Sequence, residues 1–200
     1  MLRSLSLLAL ALPVVLGSIR AGRLIERPAR LLHERVLAAG HHSELLDLRA
    51  LDLPMYGRDR ESDSHPSVVA FKQSLEAADG VVWLTPEYNH AYPSAVKNAI
   101  DYLHAEIRRK PVAVCGLSGG ALGGVRAVEQ LKLVLIELHA LPIRDSVYFT
   151  DARSLYDANG SLLRPELVRR ADEVLAELAW YARALHWGRA NLPLPERKRG

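Results

Sequence analysis

The chain has 200 residues, 49% of them hydrophobic and 24% charged, with a formal net charge of +3. This is the profile of an ordinary globular protein of one domain, or two small ones. The positive surplus is confined to the last fifteen residues, where Arg189, Arg197, Lys198 and Arg199 face only Glu196. The rest of the chain is neutral, which argues against a nucleic-acid-binding face. A single cysteine, Cys115, excludes an internal disulfide, and a reducing, cytoplasmic setting fits it.

The N-terminal run MLRSLSLLALALPVVLGSIR can be read as a signal peptide or as a buried first strand leading into a loop. Pro13 interrupts it, and it is too short to span a membrane. The strand reading is preferred, with LPVVLG as the strand. A helix follows over LIERPARLLHERVLAAG, with Pro28 near its start and Gly40 at its end. SELLDL is a short strand, LDLPMYGRDRESDSHP a polar loop, and SVVAFKQSLEAAD a helix. GVVWLT is an uninterrupted apolar strand of the kind buried on both faces of a parallel sheet. PSAVKNAIDYLH places Val96, Ile100 and Leu103 on one helical face. PVAVCG is a further buried strand, VRAVEQLKLVLIELHA a helix, PIRDSVYF a strand and PELVRRADEVLAELAWYARAL a long terminal helix.

Five strands alternating with five helices predict an α/β fold with a parallel sheet covered on both faces. The strand count suits the flavodoxin-like order 2-1-3-4-5, a three-layer sandwich over residues 1–187. Residues 188–200 read as a disordered basic tail. In such sheets ligands bind beyond the carboxyl ends of the strands, so the loops after strands one, three and four should lie side by side. Those loops are GSIRAGR, PEYNHAYP and SGGALGG, the three least ordinary stretches of the chain.

Loop one leaves a strand and enters a helix, with Ser18, Arg20 and Arg23 as donors suited to a phosphate. It lacks the Gly-Lys-Ser/Thr ending of a Walker A motif. In loop two, Pro86 fixes the backbone ahead of Glu87, Tyr88 and Asn89, which either meet a planar, acceptor-rich ligand or cap turns. In loop three, glycines allow a ligand to approach the backbone closely. The same stretch, Gly116-Leu117-Ser118-Gly119-Gly120, also matches the G-x-S-x-G nucleophile elbow. A serine hydrolase built on Ser118 would need Asp145 or Asp151 with His186, and His186 lies near the end of the last helix. A non-enzymatic flavin electron carrier is a third reading. The histidines His41, His42, His65, His90 and His104 show no metal spacing, so no metal site is expected. Trp180, Tyr181 and Trp187 are expected to pack the last helix or form a subunit contact.

The segments GSIRAGR, TPEYNHAYPSAVKNAIDYL and SGGALGGVRAVEQL resemble the NADPH-dependent FMN reductase family, in order and spacing, over roughly residues 10 to 185. The resemblance implies an enzyme with FMN and NADPH (or NADH) as cofactors. Hydride passes from the dinucleotide to bound FMN and then to a flavin, quinone or similar small acceptor, and no side chain serves as a nucleophile. It implies that Ser18 and Arg20 hold the FMN phosphate, with Arg23, Leu24, Ile25 and Glu26 contributing from the helix start. Pro86, Glu87, Tyr88 and Asn89 would line the ring and ribityl chain, and Ser118, Gly119 and Gly120 the other edge. Many members have serine in place of Arg23 and asparagine in place of Ile25, so those two assignments depart from the family pattern. A homodimer or homotetramer is also implied. Neither nucleic acid nor membrane is an expected partner.

Overall fold

The computed structural model describes residues 8–193. Its strands are β1 (Val14–Leu16), β2 (Leu45–Asp47), β3 (Val81–Pro86), β4 (Pro111–Leu117), β5 (Leu141–Pro142) and β6 (Tyr148–Phe149). They form one sheet in the order β2-β1-β3-β4-β5, with β6 also paired to β4, and every pair is parallel. This is the expected order, with the fifth strand divided in two. Ile143 still donates to Val112 O at 2.9 Å, and Gly116 donates to Val147 O at 2.9 Å. Between those bonds the chain departs from β4. Arg170 grips the excursion there, donating to Asp145 Oδ1 at 2.6 Å and to Ser146 O at 3.1 Å.

The helices are α1 (Glu26–Ala38), α2 (Leu48–Leu51), α3 (Pro66–Ala77), α4 (Ser94–Asp101), α5 (Val125–Glu137) and α6 (Glu166–Asn191). Helix α1 starts two residues later than its sequence pattern suggests, which lengthens loop one to Ile25. The first i→i−4 bond runs from Ala29 N to Ile25 O at 3.0 Å, and Pro28, which has no N–H to give, sits in the unsatisfied first turn. The short α2 was not expected. It forms because Asp47, at the end of β2, accepts from Arg49 N at 2.9 Å and caps it. Helix α6 continues through Asn191, past residue 188 where the tail was expected to begin; residues 194–200 lie outside the described residues.

Strand alternation divides the core in two. Val14, Leu16, Val82, Leu84, Ala113, Cys115 and Leu117 face one cluster with α1 and α6. Val15, Val81, Trp83, Val112 and Val114 face the other, with α3, α4 and α5. Both faces of the central strands are therefore buried, as the continuous apolar runs predict. Leu10 and Leu12 are fully buried in the first cluster, so the apolar run from residue 8 onward belongs to the fold. Burial also pushes the Cys115 thiol up to about 11, so it is an inert packing group. Among the described residues no helix is long and apolar enough to cross a membrane.

Candidate active site

Loops one, two and three leave the carboxyl ends of β1, β3 and β4, which are adjacent in the sheet. They enclose a cavity of about 600 Å³ lined by residues from all three, including Ser18, Arg20, Arg23, Pro86, Glu87, Tyr88, Ser118 and Gly119. That volume falls within the range of about 300–1,000 Å³ usual for cofactor sites.

Specific bonds tie the loops together. Ser18, almost wholly buried, has its hydroxyl 2.9 Å from the Tyr88 hydroxyl, joining loop one to loop two. Glu87 N donates to Leu117 O at 3.0 Å, joining loop two to the end of β4. Tyr88 and Ala91 exchange backbone bonds at 2.9 and 3.1 Å, closing a tight hairpin whose central residues Asn89 and His90 both have positive φ. Such a turn favours asparagine at its first central position. Helix α5 braces this hairpin. Arg126 contacts the Glu87 carboxylate and lies 3.1 Å from His90 Nδ1, and Gln130 donates to His90 O at 2.9 Å.

The loop after α2 is anchored by α4 and by Tyr102 at its end. Asn98 accepts from Tyr56 N at 2.7 Å and donates to Pro54 O at 2.8 Å, while Tyr102 donates to the same carbonyl at 3.0 Å. These bonds explain the asparagine and tyrosine that follow PEYN in the sequence.

Ten of the thirteen residues singled out from sequence border the cavity; the exceptions are Glu26, Asn89 and Gly120. Glu26 accepts from Arg23 Nε at 2.9 Å on the outer side of the loop. Asn89 forms the hairpin turn, and Gly120 O accepts from Ser118 Oγ at 3.0 Å and from Asp151 N at 3.1 Å. Leu24 and Ile25 do border the cavity. Sequence reasoning missed Ala21, Gly22, Leu117, Ala152 and Arg153, which also line it. The last two follow β6 on a segment with no motif of its own.

Arg23 plays a different part from the one expected of it. Its guanidinium is almost fully buried and engaged by protein: Nη1 donates to Ser18 O at 2.5 Å and Asp47 Oδ1 at 2.6 Å, and Nη2 to Asp47 Oδ2 at 2.5 Å. The hydrogen bond with Asp47 is the largest influence holding its pKa above the ordinary value, against the opposing effect of burial. Arg23 is therefore a strut that fixes loop one to β2 rather than a free cation for a phosphate. The side chains of Arg20 and Arg153 make no hydrogen bond or ion pair among the described residues.

The hydrolase constellation is not assembled. Ser118 Oγ donates to Gly120 O. His186 Nδ1 lies 2.7 Å from Asp79 Oδ1, just before β3 and so at the opposite end of the sheet, roughly 20 Å away by strand length. Asp145 is bound to Arg170. Asp151 without His186 does not complete the constellation, and among the described residues no base is hydrogen-bonded to Ser118 Oγ.

The residues present fit a flavin mononucleotide. Loop one offers a buried hydroxyl and an unpaired cation for a phosphate. A side-chain carbon added at Gly119, which borders the cavity, would meet nothing within 4 Å, so the backbone there is open to a planar ligand. Glu87 Oε2 is enclosed without a partner, an unmet acceptor that a hydroxyl or ring N–H of a bound group satisfies. Trp180 is 62% and Trp187 43% exposed, so neither is buried in the core.

The family model for NADPH-dependent FMN reductase matches residues 11–153. An NADPH azoreductase from a Bacillus strain is 36% identical over 114 residues, covering 56% of this chain and 64% of that protein. An NAD(P)H-dependent FMN reductase from Pseudomonas aeruginosa is 30% identical over 177 residues, covering 84% of this chain and 93% of that protein. Among solved structures, the flavoenzyme NAD(P)H:(acceptor) oxidoreductase FerB from Paracoccus denitrificans superposes with a TM-score of 0.73 at 27% identity, covering 88% of this chain and 98% of that one. The matched span contains all three loops that wall the cavity, and on that ground the chain belongs to the NADPH-dependent FMN reductase family.

Proposed function

We propose that this chain passes reducing equivalents from NAD(P)H through bound FMN to a small aromatic acceptor such as a quinone. The observation that carries this reading is the convergence of the three loops on one cavity with an unpaired cation and a buried hydroxyl on its loop-one wall. FMN, when bound, would supply the hydride chemistry that links the dinucleotide to the acceptor. The protein's part is to bind and orient. Ser18 and Arg20 hold the phosphate, the Ser18–Tyr88 bond fixes the two loops that border it, and Pro86, Glu87 and Tyr88 form one wall. Ser118 and Gly119 border the opposite wall, with the Ser118 hydroxyl donating to Gly120 O. No side chain takes or gives electrons, and the braced hairpin keeps the wall rigid without a nucleophile.

Exposed Leu133 and Ile136 on α5, with Trp180 and Trp187 on α6, support self-association into a dimer or tetramer. A cytoplasmic location follows from the same reading together with the lone buried thiol.

The test is an anaerobic absorbance spectrum of the purified protein with FMN, before and after NADPH. A flavin that co-elutes with the protein and bleaches on reduction is the expected result. A protein that binds no flavin would sink the proposal. Ser118→Ala belongs in the same experiment. Turnover with a quinone is expected to stay within about threefold of the unaltered protein, whereas a serine nucleophile would lose activity by orders of magnitude.

A further inference from the structure

Among the described residues the cavity is lined by two cations without a hydrogen bond or ion pair, Arg20 and Arg153, and a flavin phosphate accounts for only one. Arg20 lies on loop one beside Ser18, where the phosphate is assigned. Arg153 enters from the opposite wall, on the segment after β6 that packs against loop three.

Its backbone is fixed in place. Ala152 N donates to Ser118 O at 3.0 Å and Asp151 N to Gly120 O at 3.1 Å, so the segment is bonded directly to the loop that borders the cavity. Ser154 N donates to Asp151 O at 2.8 Å, closing a single 3-10 turn over Ala152–Ser154 that starts from Asp151 in the left-handed conformation. The Ala152 side chain is buried, which pins the turn, and Arg153 projects from it as an exposed cation.

The neighbouring charges do not neutralise it. Asp151, two residues before it, forms no ion pair among the described residues, and Glu87, which also lines the cavity, is contacted by Arg126. An unpaired guanidinium on a fixed turn at the edge of the cavity is suited to an oxyanion, which it can bind through two parallel N–H donors.

We propose that Arg153 anchors a negatively charged group on the ligand that exchanges at this cavity, a phosphate, carboxylate or sulfonate, and so favours anionic over neutral substrates. This rests on the FMN-dependent reading above. The anion belongs either to the reduced dinucleotide or to the acceptor.

The experiment compares the FMN-loaded protein with Arg153→Gln and Arg153→Lys. The FMN dissociation constant is read by flavin fluorescence. Steady-state kcat/KM is measured with NADPH and NADH, and with naphthoquinone and a naphthoquinone sulfonate. Arg153→Gln is expected to lower kcat/KM about tenfold or more for one charged partner while leaving its less charged counterpart and FMN affinity unchanged, with Arg153→Lys recovering most of the loss. Loss confined to the naphthoquinone sulfonate assigns the anion to the acceptor; loss confined to NADPH assigns it to the extra phosphate of the dinucleotide. Equal effects on charged and neutral partners overturn the proposal. So does weakened FMN binding, which would place Arg153 in the cofactor's own site. If the unaltered protein binds no FMN, the reductase reading itself fails. Calorimetric binding of the naphthoquinone sulfonate to the unaltered and Arg153→Gln proteins then still decides Arg153, with equal affinities overturning it.

Discussion

Arg20→Ala is expected to weaken FMN binding by ten- to a hundredfold, or about 1.5–3 kcal/mol, while leaving the melting temperature of the flavin-free protein unchanged. The two halves of this expectation share one cause. The exposed Arg20 side chain makes no hydrogen bond or ion pair among the described residues, so its removal takes away no polar fold contact. Its backbone N–H, 3.4 Å from Ser18 Oγ, remains in place. What is lost is a charge-assisted bond to a dianionic phosphate, together with part of the field that draws the phosphate in. Because Arg20 is exposed, the effect should shrink as salt rises. Fluorescence titration of FMN at low and high ionic strength measures both. Riboflavin, which lacks the phosphate, is the control, and its affinity should not change. Unchanged FMN affinity would remove Arg20 from the site and shift the phosphate to another part of the cavity.

The parts of the site legible in the sequence were those that the backbone dictates. Continuous apolar runs at GVVWLT and PVAVCG required strands buried on both faces, and their order placed three unusual loops at one edge. The internal roles of side chains were not legible. Arg23 reads in one dimension as a cation beside a phosphate loop, and only the register of β1 with β2, which pairs Leu16 with Asp47, reveals its partner. Asn89 reads as a ligand contact because it sits in PEYN, yet its left-handed backbone makes it a turn residue. Arg153 carried no signal at all. It reaches the cavity because the fifth strand breaks around Arg144–Ser146 and resumes at Tyr148, a detour held by Arg170 more than twenty residues further on. Local pattern reports periodicity and turns. It does not report which distant charge will be brought against which.

Arg23→Met should therefore behave differently from Arg20→Ala, with its main effect on stability. The substitution keeps much of the aliphatic stem but leaves the Asp47 carboxylate and the Ser18 carbonyl without their donor. Removing one partner of a buried ion pair costs about 3–5 kcal/mol. Asp47 is a quarter exposed and retains its bond from Arg49 N, so a loss of about 2–3 kcal/mol in urea unfolding is the expected outcome. The pH dependence follows from Asp47. Burial works against its charge, but the hydrogen bonds from Arg23 and from the backbone of Arg49 and Ala50 outweigh it and hold the carboxyl below its ordinary value of 3.8. A carboxylate with a depressed folded-state pKa contributes stability that is present above 3.8 and lost as pH falls through the folded value. The gap between the unaltered protein and Arg23→Met should thus be full at neutral pH and close in acid. Asp47→Asn, combined with Arg23→Met in a double-mutant cycle, should show a coupling of the same sign at neutral pH. FMN affinity of the folded variant should fall less than in Arg20→Ala, since the strut acts on the loop rather than on the phosphate. Wild-type stability with FMN binding abolished would reverse the assignment and return Arg23 to the phosphate.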